Sequence, residues 1–428
     1  MGDARSSGKG CTWMIRITLR QRKRTWEVRR ANAAVTINVL QEAIEATYGF
    51  KPSYRKVWMA KQKATAQIYG DWEESYAELP RWILGVQSTM DGTVALLKTS
   101  PVRVGDQVDE STVYFHRLFW IFSPCIEVFR HCKPLVSIDE THLCGKYGGT
   151  LLLAIAQDGN LNILPIVFAL VEGENAEPWD FFLSNLRQHV IPQEGILVIS
   201  DRHNDIKVTL EAPDSGWLPP YAYRAFCIHH VAANFALSFK GQDTRLLLMN
   251  AAYANTEAEF DYWFDIMRTE NSTMCDWTNR MGYDKWTQHQ DGGRWFGHMT
   301  TNISECVNHV LKGTQNLSIT ALVKSTYRRL VELLVIRGQT AEAQLGTGHQ
   351  FCQALVKAIE CNLRDSRCFT VTLFDRHQSE YTVAKMTPTS NFSLGKYRVS
   401  LRDCMCDCGY FQALHYPCCH AISYCAQS

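Results

Sequence analysis

The chain has 428 residues, of which 46% are hydrophobic and 20% charged, values that are ordinary for a globular protein of two or three domains. The formal net charge of +1 excludes attraction of the whole molecule to nucleic acid, so any DNA contact must come from local basic patches. No apolar stretch reaches the roughly 18 residues of a membrane span, and the amino terminus lacks an apolar signal segment, so we predict neither membrane insertion nor secretion.

Residues 1–34 combine alternating apolar side chains with a basic run. The segment CTWMIRITLRQRKRTWEVRR alternates apolar with polar or basic residues, which predicts a basic two-stranded hairpin. The run contains Arg20, Arg22, Lys23 and Arg24. Such a cluster is typical of nuclear-import or phosphate-contacting sequences, and a solvated charged surface is an equal alternative.

Residues 35–100 are predicted to form a small helical module. The stretch VTINVLQEAIEATYG predicts a helix that ends at Gly49, and a second helix begins after Pro52. A third helical stretch follows with a predicted break at Pro80. Short helices joined by tight turns are compatible with DNA binding, although their apolar spacing is more often plain core packing.

The pattern changes after residue 134, where apolar strand-like runs begin. PLVSID, GTLLLAIAQD and ILPIVFALVE are three such runs, followed by the helical PWDFFLSNLRQHV and the strand ILVISD. Asp139 and Asp201 end the first and the fourth strand, where ligands usually bind. This order predicts an α/β, ribonuclease-H-like fold, with a generic α/β sheet as the alternative.

A long helical region is predicted between the second and a third acid. AYRAFC predicts a further strand, HHVAANFALSFK a helix, and residues 240–290 are almost entirely helical in pattern. Glu305 then lies in the predicted helix ISECVNHVLKG, and two more helices and a short β region follow. Three acids that converge at one sheet edge could hold a pair of Mg²⁺ or Mn²⁺ ions for in-line attack on a phosphodiester.

The carboxyl-terminal segment carries the spacing of a structural zinc site. Cys406, Cys408, Cys418 and His420 supply three thiolates and one imidazole, the closed tetrahedral set typical of structural Zn²⁺. A module this small lacks a sufficient core, so metal binding would supply its folding energy. Nearby cysteines that could compete as ligands are Cys404, Cys419 and Cys425. The remaining cysteines of the 16 are predicted to be free thiols.

Several long motifs resemble plant Mutator-like element (MULE, MuDR-type) transposases. They are IDETHLCGKYGGTLLLAIAQDGNLNILPIVFALVEGE, VISDRHNDI, FCIHHVAANF, GHMTTNISECVNHVLKGTQNLSITALV and CDCGYFQALHYPCCHAI. The resemblance runs from about residue 35 to 425. It implies a DDE-type core at 101–345 with a helical insertion at about 228–300, a linker at 346–395 and a SWIM-type zinc finger at 396–428. It also implies a triad of Asp139, Asp201 and Glu305 on two Mg²⁺ or Mn²⁺ ions.

The resemblance assigns further residues whose roles have ordinary alternatives. Cys227 and His230 match the family's Cys-x2-His motif, so they could share a metal or orient the acids; a buried thiol beside a helix-terminal histidine is the alternative. Arg294 and Trp295 could contact an opened DNA end, although core packing explains them as well.

The chain also departs from the family pattern. The later ligands of the family's amino-terminal zinc finger are missing after RRANA, and His415 stands where glycine is common. We therefore expect a nuclear, DNA-binding, self-associating transposase that cleaves and transfers strands, as a truncated or partly decayed copy. The alternative is a domesticated DNA- and zinc-binding transcriptional regulator, similar to the far-red-impaired-response type, without catalysis.

Overall fold

A computed structural model describes most of the chain from residue 35 onward and two strands before it. The described residues are 16–20, 25–30 and 35–427, except 71, 105–106, 144–147, 174, 302–310, 312–313, 316, 376–378 and 387–394. Elements are numbered below in chain order within this part. Glu305, Arg22, Lys23 and Arg24 lie outside it.

The predicted amino-terminal hairpin is confirmed. Strands β1 (Arg16–Arg20) and β2 (Thr25–Arg30) pair antiparallel, with Arg20 opposite Thr25. Arg20 is therefore the one proposed basic residue of this cluster whose backbone is described, at the carboxyl end of β1.

Three helices follow, as the apolar spacing predicts: α1 (Ile37–Tyr48), α2 (Tyr54–Tyr69) and α3 (Trp72–Thr89). Thr36 caps α1 by accepting a hydrogen bond from the Val39 amide, and Gly49 ends it with a left-handed φ of 72°. The predicted break at Pro80 is wrong, because α3 continues through it. Leu79 and Ile83 on this helix are buried in the main core, and this burial stabilises the helix by more than the missing backbone hydrogen bond of Pro80 destabilises it.

Within the described residues, seven strands form one mixed sheet. They are β3 (Val94–Val104), β4 (Gln107–Ile121), β5 (Leu135–His142), β6 (Thr150–Gln157), β7 (Ile163–Val171), β8 (Ile196–Ser200) and β9 (Ala222–Phe226). Their spatial order is β3-β4-β7-β6-β5-β8-β9. Strands β5, β8 and β9 run parallel, and the other pairs are antiparallel. Strand β3 crosses the domain boundary expected at residue 100, so the sheet begins inside the segment predicted to be helical.

The central strands are buried because their apolar runs are nearly continuous. Every residue of β6, β7 and β8 is buried. Helix α4 (Ser123–Phe129) follows β4, and α5 (Ala176–His189) connects β7 to β8. Apolar side chains of both helices join these strands in the main hydrophobic core, which fixes the carboxyl ends of β5 and β8 side by side.

Helix α6 (Asn204–Leu210) lies between β8 and β9, and its Ile206 and Leu210 join the main core. A second core lies among the helices that follow the sheet, which are α7 (Ile228–Ser238), α8 (Gln242–Tyr253), α9 (Glu257–Glu270) and α10 (Ser272–Thr278). Phe235, Phe264 and Trp286 are buried in this cluster together with Leu135 and Ile199 of the sheet. The helical prediction for 240–290 holds through α10. Beyond it the chain forms turns and one short 3-10 helix, Tyr283–Lys285.

The carboxyl-terminal region consists of helices and a small antiparallel sheet, as predicted. Helices α11 (Ile319–Gly346) and α12 (Gln353–Ser366) precede β10 (Phe369–Asp375), β11 (Glu380–Lys385), β12 (Lys396–Ser400) and β13 (Met405–Cys406). Two short helices, α13 (Tyr410–Leu414) and α14 (Cys419–Gln427), end the described chain. No helix in the described part has the length and apolarity to cross a membrane.

Candidate catalytic site and metal centre

Asp139 lies within β5, three residues before its end, so the prediction that it ends this strand is wrong, because pairing with β6 extends β5 to His142. Asp201 directly follows the neighbouring parallel strand β8. The register of β5 with β8 ends at the pair of Ser137 with Ile199, and Asp139 and Asp201 each lie two residues beyond that pair. Adjacent strands are about 4.8 Å apart. The two carboxylates are close enough for the charge on Asp201 to act on Asp139.

Asp139 is a buried acid held by two hydrogen bonds. Its residue is only 6% exposed. The Glu140 amide donates to Oδ1 at 2.9 Å, and the Thr301 hydroxyl donates to Oδ2 at 2.7 Å. Burial raises the pKa of Asp139, and the charge on Asp201 raises it further against the lowering effect of the Thr301 hydrogen bond. A cation bound between the two acids would relieve this electrostatic cost.

Asp201 directly follows β8, and its Oδ1 accepts a hydrogen bond from the His203 amide at 2.9 Å. This turn fixes the carboxylate at the strand tip, where the sequence predicts it. Of the predicted triad, the structure brings Asp139 and Asp201 together, while Glu305 lies in the undescribed 302–310 segment.

Cys227 and His230 lie beside these acids at the start of α7. Cys227 is buried, and its Sγ accepts the Thr301 amide at 3.3 Å. Burial raises the pKa of Cys227, but hydrogen bonding to His230 outweighs it and leaves the pKa below its ordinary value. The same hydrogen bond raises the pKa of His230 to about 9, and the charges on Asp139 and Asp201 contribute. Cys227 is linked to Asp139 through Thr301, and the role of the pair in orienting the acids stays a prediction.

Thr301 is a site residue that sequence reasoning missed. It touches both Asp139 and Cys227, which are separated from it by 162 and 74 positions in the chain. The available signal was the polar pair TT directly before the segment with the third acid, and its meaning depends on tertiary contacts.

Two arginines lie near Asp201. Arg224 donates to the Asp201 carbonyl at 3.4 Å, and the guanidinium of Arg202, the next residue, lies 5.0 Å from the Trp277 ring centroid. Neither arginine was predicted.

Arg294 stacks on Tyr223, with 3.7 Å between its guanidinium carbon and the ring centroid. Tyr223 pairs with Leu197, four residues before Asp201, so this contact lies toward the other end of β8.

Trp295 does not fit its predicted role as a stacking platform for DNA. It is 0% exposed and belongs to the second hydrophobic core, so neither face of its indole is available to a ligand. The prediction for Trp295 is wrong because burial by distant aromatic residues cannot be seen in the local sequence.

The four predicted zinc ligands lie in one cluster. The ligand atoms of Cys406, Cys408, Cys418 and His420 are all within 4.8 Å of one another, the one such group among the residues that the structure describes. His420 Nδ1 lies 3.6 Å from Cys406 Sγ and 3.8 Å from Cys418 Sγ. Zinc–sulfur bonds of about 2.3 Å and zinc–nitrogen bonds of about 2.0 Å give tetrahedral ligand separations of this size. The cluster therefore fits a structural zinc ion.

Aromatic packing orders the imidazole of this cluster. The Tyr397 ring stacks on His420 with centroids 3.8 Å apart, and Phe369 contacts its edge at 4.5 Å. Hydrogen bonds to Cys408 and Cys418, together with burial, raise the pKa of Cys406. Cys404 is exposed and lies outside the cluster, so the predicted ligand set holds against this competitor.

His415 occupies a left-handed backbone position, with φ of 60°. This explains why glycine suits that position. The imidazole here contacts the Gly293 carbonyl through Nε2 at 2.6 Å and stacks on Phe296 with 4.3 Å between ring centroids. The carboxyl-terminal module is thus packed against the turn region that precedes Thr301.

Comparison with known families matches two parts of the chain. The profile of the MULE transposase domain matches residues 135–234, which include Asp139, Asp201, Cys227 and His230. The profile of the SWIM zinc finger matches residues 397–423, which include all four clustered ligands. A search of curated proteins finds no match.

Proposed function

Because the chain carries a MULE transposase domain and a SWIM zinc finger, we propose that it is a Mutator-like DNA transposase that cleaves and transfers strands with two divalent metal ions. The observation that carries this proposal is that Asp139 on β5 lies beside Asp201, which follows the neighbouring parallel strand β8, close enough for the charge on Asp201 to act on Asp139. Paired carboxylates at a sheet edge are suited to hold hard cations against a phosphodiester.

The sheet order supports a ribonuclease-H-like core. Strands β7-β6-β5-β8-β9 place the first strand of the motif in the centre, two antiparallel strands on one side and two parallel strands on the other. This is the strand order expected from the run of three strands, a helix and a fourth strand in the sequence.

The position of Thr301 supports Glu305 as the third acid. Thr301 contacts Asp139, and Glu305 follows four residues later. Four residues span at most about 14 Å even when fully extended. This chain length permits Glu305 to reach the same cation pocket, which supports its proposed role.

The chain's own residues have distinct tasks in this proposal. Asp139, Asp201 and Glu305 would hold the ions, and Thr301 fixes one oxygen of Asp139. Bound Mg²⁺ or Mn²⁺ would activate water or a DNA 3′-hydroxyl and neutralise charge on the phosphate and leaving oxygen. Arg202, the residue after Asp201, could contact the negative DNA backbone, whereas the Arg224 side chain is only 8% exposed and forms an ion pair with Glu211.

The remaining parts of the functional proposal rest on the sequence. Arg20, Arg22, Lys23 and Arg24 are candidates for DNA contact or nuclear import, and Arg294 is a further candidate for DNA contact. Self-association and nuclear location stay predictions, as does partial decay of the transposase.

A nicking assay tests the proposal. Purified full-length protein is incubated with supercoiled plasmid and Mn²⁺ or Mg²⁺, beside Asp201→Asn and Glu305→Gln. We expect wild-type nicking that depends on the metal and falls roughly 100-fold or more in either variant, because losing an ion removes several kcal/mol of transition-state stabilisation. Asp205→Asn, a nearby acid that faces His203, is the matched control and should retain activity.

Equal nicking by wild type and Asp201→Asn would contradict the assignment of that acid. Metal-independent DNA binding without any cleavage would favour the transcriptional regulator instead.

A further inference from the structure

Residues 291–301, here called the linking loop, connect the carboxyl-terminal finger to the catalytic carboxylate. At its inner end, the Ile228 amide donates to the Met299 carbonyl at 2.8 Å. The Thr301 amide donates to Cys227 Sγ at 3.3 Å, and the Thr301 hydroxyl donates to Asp139 at 2.7 Å. Three hydrogen bonds therefore hold this end beside the candidate metal site.

The outer end of the linking loop packs against the finger. The His415 ring contacts the Gly293 carbonyl at 2.6 Å and stacks on Phe296. Leu414 approaches Gly297 so closely that a Cβ there would lie 3.0 Å from its Cδ2. A Cβ at Gly293 would lie 2.5 Å from the Gln412 carbonyl oxygen. The backbone contact at Gly293 requires glycine, because the Gln412 carbonyl leaves no space for a Cβ, and Gly297 also has a left-handed φ of 73° that suits glycine.

Internal contacts keep the linking loop in one conformation between these ends. The buried Asp291 carboxylate accepts the amides of Gly293 at 2.8 Å and Trp295 at 2.6 Å. The Trp295 side chain is fully buried, and Lys133 donates to the Phe296 carbonyl at 3.3 Å. A loop with this many fixed points can transmit a displacement from one end to the other.

We propose that the zinc-loaded finger positions Asp139 through the linking loop, with His415 and Thr301 as positioning residues. The inference rests on the proposed function for the role of Asp139. His415 lies three residues before the zinc ligand Cys418, so zinc bound to the cluster would hold the turn that carries the His415 imidazole. Loss of zinc unfolds the finger, releases His415 from Gly293 and removes the support of the segment that ends at Thr301.

Hydrogen exchange measured by mass spectrometry tests the outer half of this coupling. The full chain is compared with His415→Gly and Cys418→Ser in magnesium-free, zinc-containing buffer. His415→Gly keeps the ligands and suits the left-handed backbone, while Cys418→Ser removes a ligand. We expect amides of the linking loop to exchange at least about fivefold faster in both variants, because lost hydrogen bonds lower the local opening free energy. His415→Gly should retain zinc.

Ser379→Gly is the matched control, because Ser379 also has a left-handed φ, of 55°, but lies outside the contact with the loop. It should leave exchange of the linking loop unchanged. Unchanged exchange of the loop in Cys418→Ser, with faster exchange in the finger itself, would overturn the proposal.

Thr301 variants test the inner half. Thr301→Val removes the hydroxyl donor at nearly constant volume, and Thr301→Ser keeps it. We expect Thr301→Val to bind Mn²⁺ about tenfold more weakly in calorimetric titration, with Thr301→Ser within about twofold of wild type, as for groups that orient metal ligands. Equal Mn²⁺ affinity in Thr301→Val and wild type would overturn the role of Thr301. If wild type binds no Mn²⁺, the proposed function fails, whereas the exchange experiment still decides whether finger and loop are coupled.

Discussion

Asp139 combines two properties that oppose each other, deep burial and a negative charge. Its pKa is raised chiefly by burial, so the native state without metal holds the proton more tightly than the unfolded chain does. The free energy of unfolding therefore falls as the pH rises from the ordinary carboxyl range through the raised native pKa. Without a cation, the ionised carboxylate therefore destabilises the fold near neutral pH.

Asp139→Asn should raise the melting temperature of the metal-free protein at pH 7 while abolishing nicking. The amide keeps an oxygen acceptor for Glu140 and removes the buried charge. Thermal unfolding with and without Mn²⁺ checks this. Wild type should gain stability from the ion and the variant should not. A variant less stable than wild type in the absence of metal would contradict the assigned cost of this charge.

His298 predicts an acid-dependent loss of stability. Burial lowers its pKa from 6.5 to about 4, and its Nδ1 lies 3.1 Å from Gln157 Nε2. Because the unfolded chain binds the proton more readily, stability present above pH 6.5 is lost as the pH falls towards 4. Over this pH range, the free energy of unfolding of His298→Gln should fall by up to about 3 kcal/mol less than that of wild type. Denaturant unfolding at pH 7.5, 5.5 and 4.5 measures the difference, and parallel profiles would contradict it.

Residue-level predictions from sequence succeed where the signal is local. The zinc ligands lie within 15 positions and share a recognisable spacing, and Asp139 and Asp201 each follow an apolar run of sequence directly. Thr301 and Arg224 were missed and Trp295 was misassigned, because contacts between distant segments give each of them its role.

Secondary-structure elements were predictable where the apolar pattern was continuous or a cap was present. The runs that became β6, β7 and β8 are buried throughout, and Gly49 ends α1 as expected. The β3–β4 pair was missed because polar and charged residues interrupt its apolar pattern. The pair joins the sheet because β4 pairs with β7, and β7 lies far along the chain.

Two glycines with open space around them should respond oppositely to alanine. Gly338 lies inside α11 with no atom within 4 Å of an added Cβ, whereas Gly49 has the same space but a φ of 72°. Gly338→Ala should stabilise the protein by about 0.5–1 kcal/mol, because helical glycine is entropically costly. Gly49→Ala should destabilise it by about 1 kcal/mol, because the left-handed conformation strains alanine. Denaturant midpoints measure both, and shifts of the same sign would contradict this reasoning.

The molecule as a whole comprises a sheet core, a helical core beside it and a finger stabilised by metal. The finger's apolar cluster is small and surrounds the four ligands, so its folding should depend on zinc. The finger contacts the linking loop through His415 and Leu414, so it packs against the region beside the sheet core.

Zinc content tests the finger directly. We expect about one zinc per chain by elemental analysis, since a closed four-ligand site binds one ion. Cys418→Ser should lose it, because one of four ligands is removed. Cys404→Ser should keep it, because this exposed thiol lies outside the cluster. Undiminished zinc in Cys418→Ser would mean that the ligands are misassigned.

In the proposed function, three acids from distant segments bind a common pair of cations. Crystals of the full chain grown with Mn²⁺ and analysed by anomalous scattering would locate these ions. We expect two manganese peaks about 4 Å apart, contacted by Asp139, Asp201 and Glu305. Absence of manganese between Asp139 and Asp201, or a Glu305 carboxylate directed away from both, would contradict the proposed transposase chemistry.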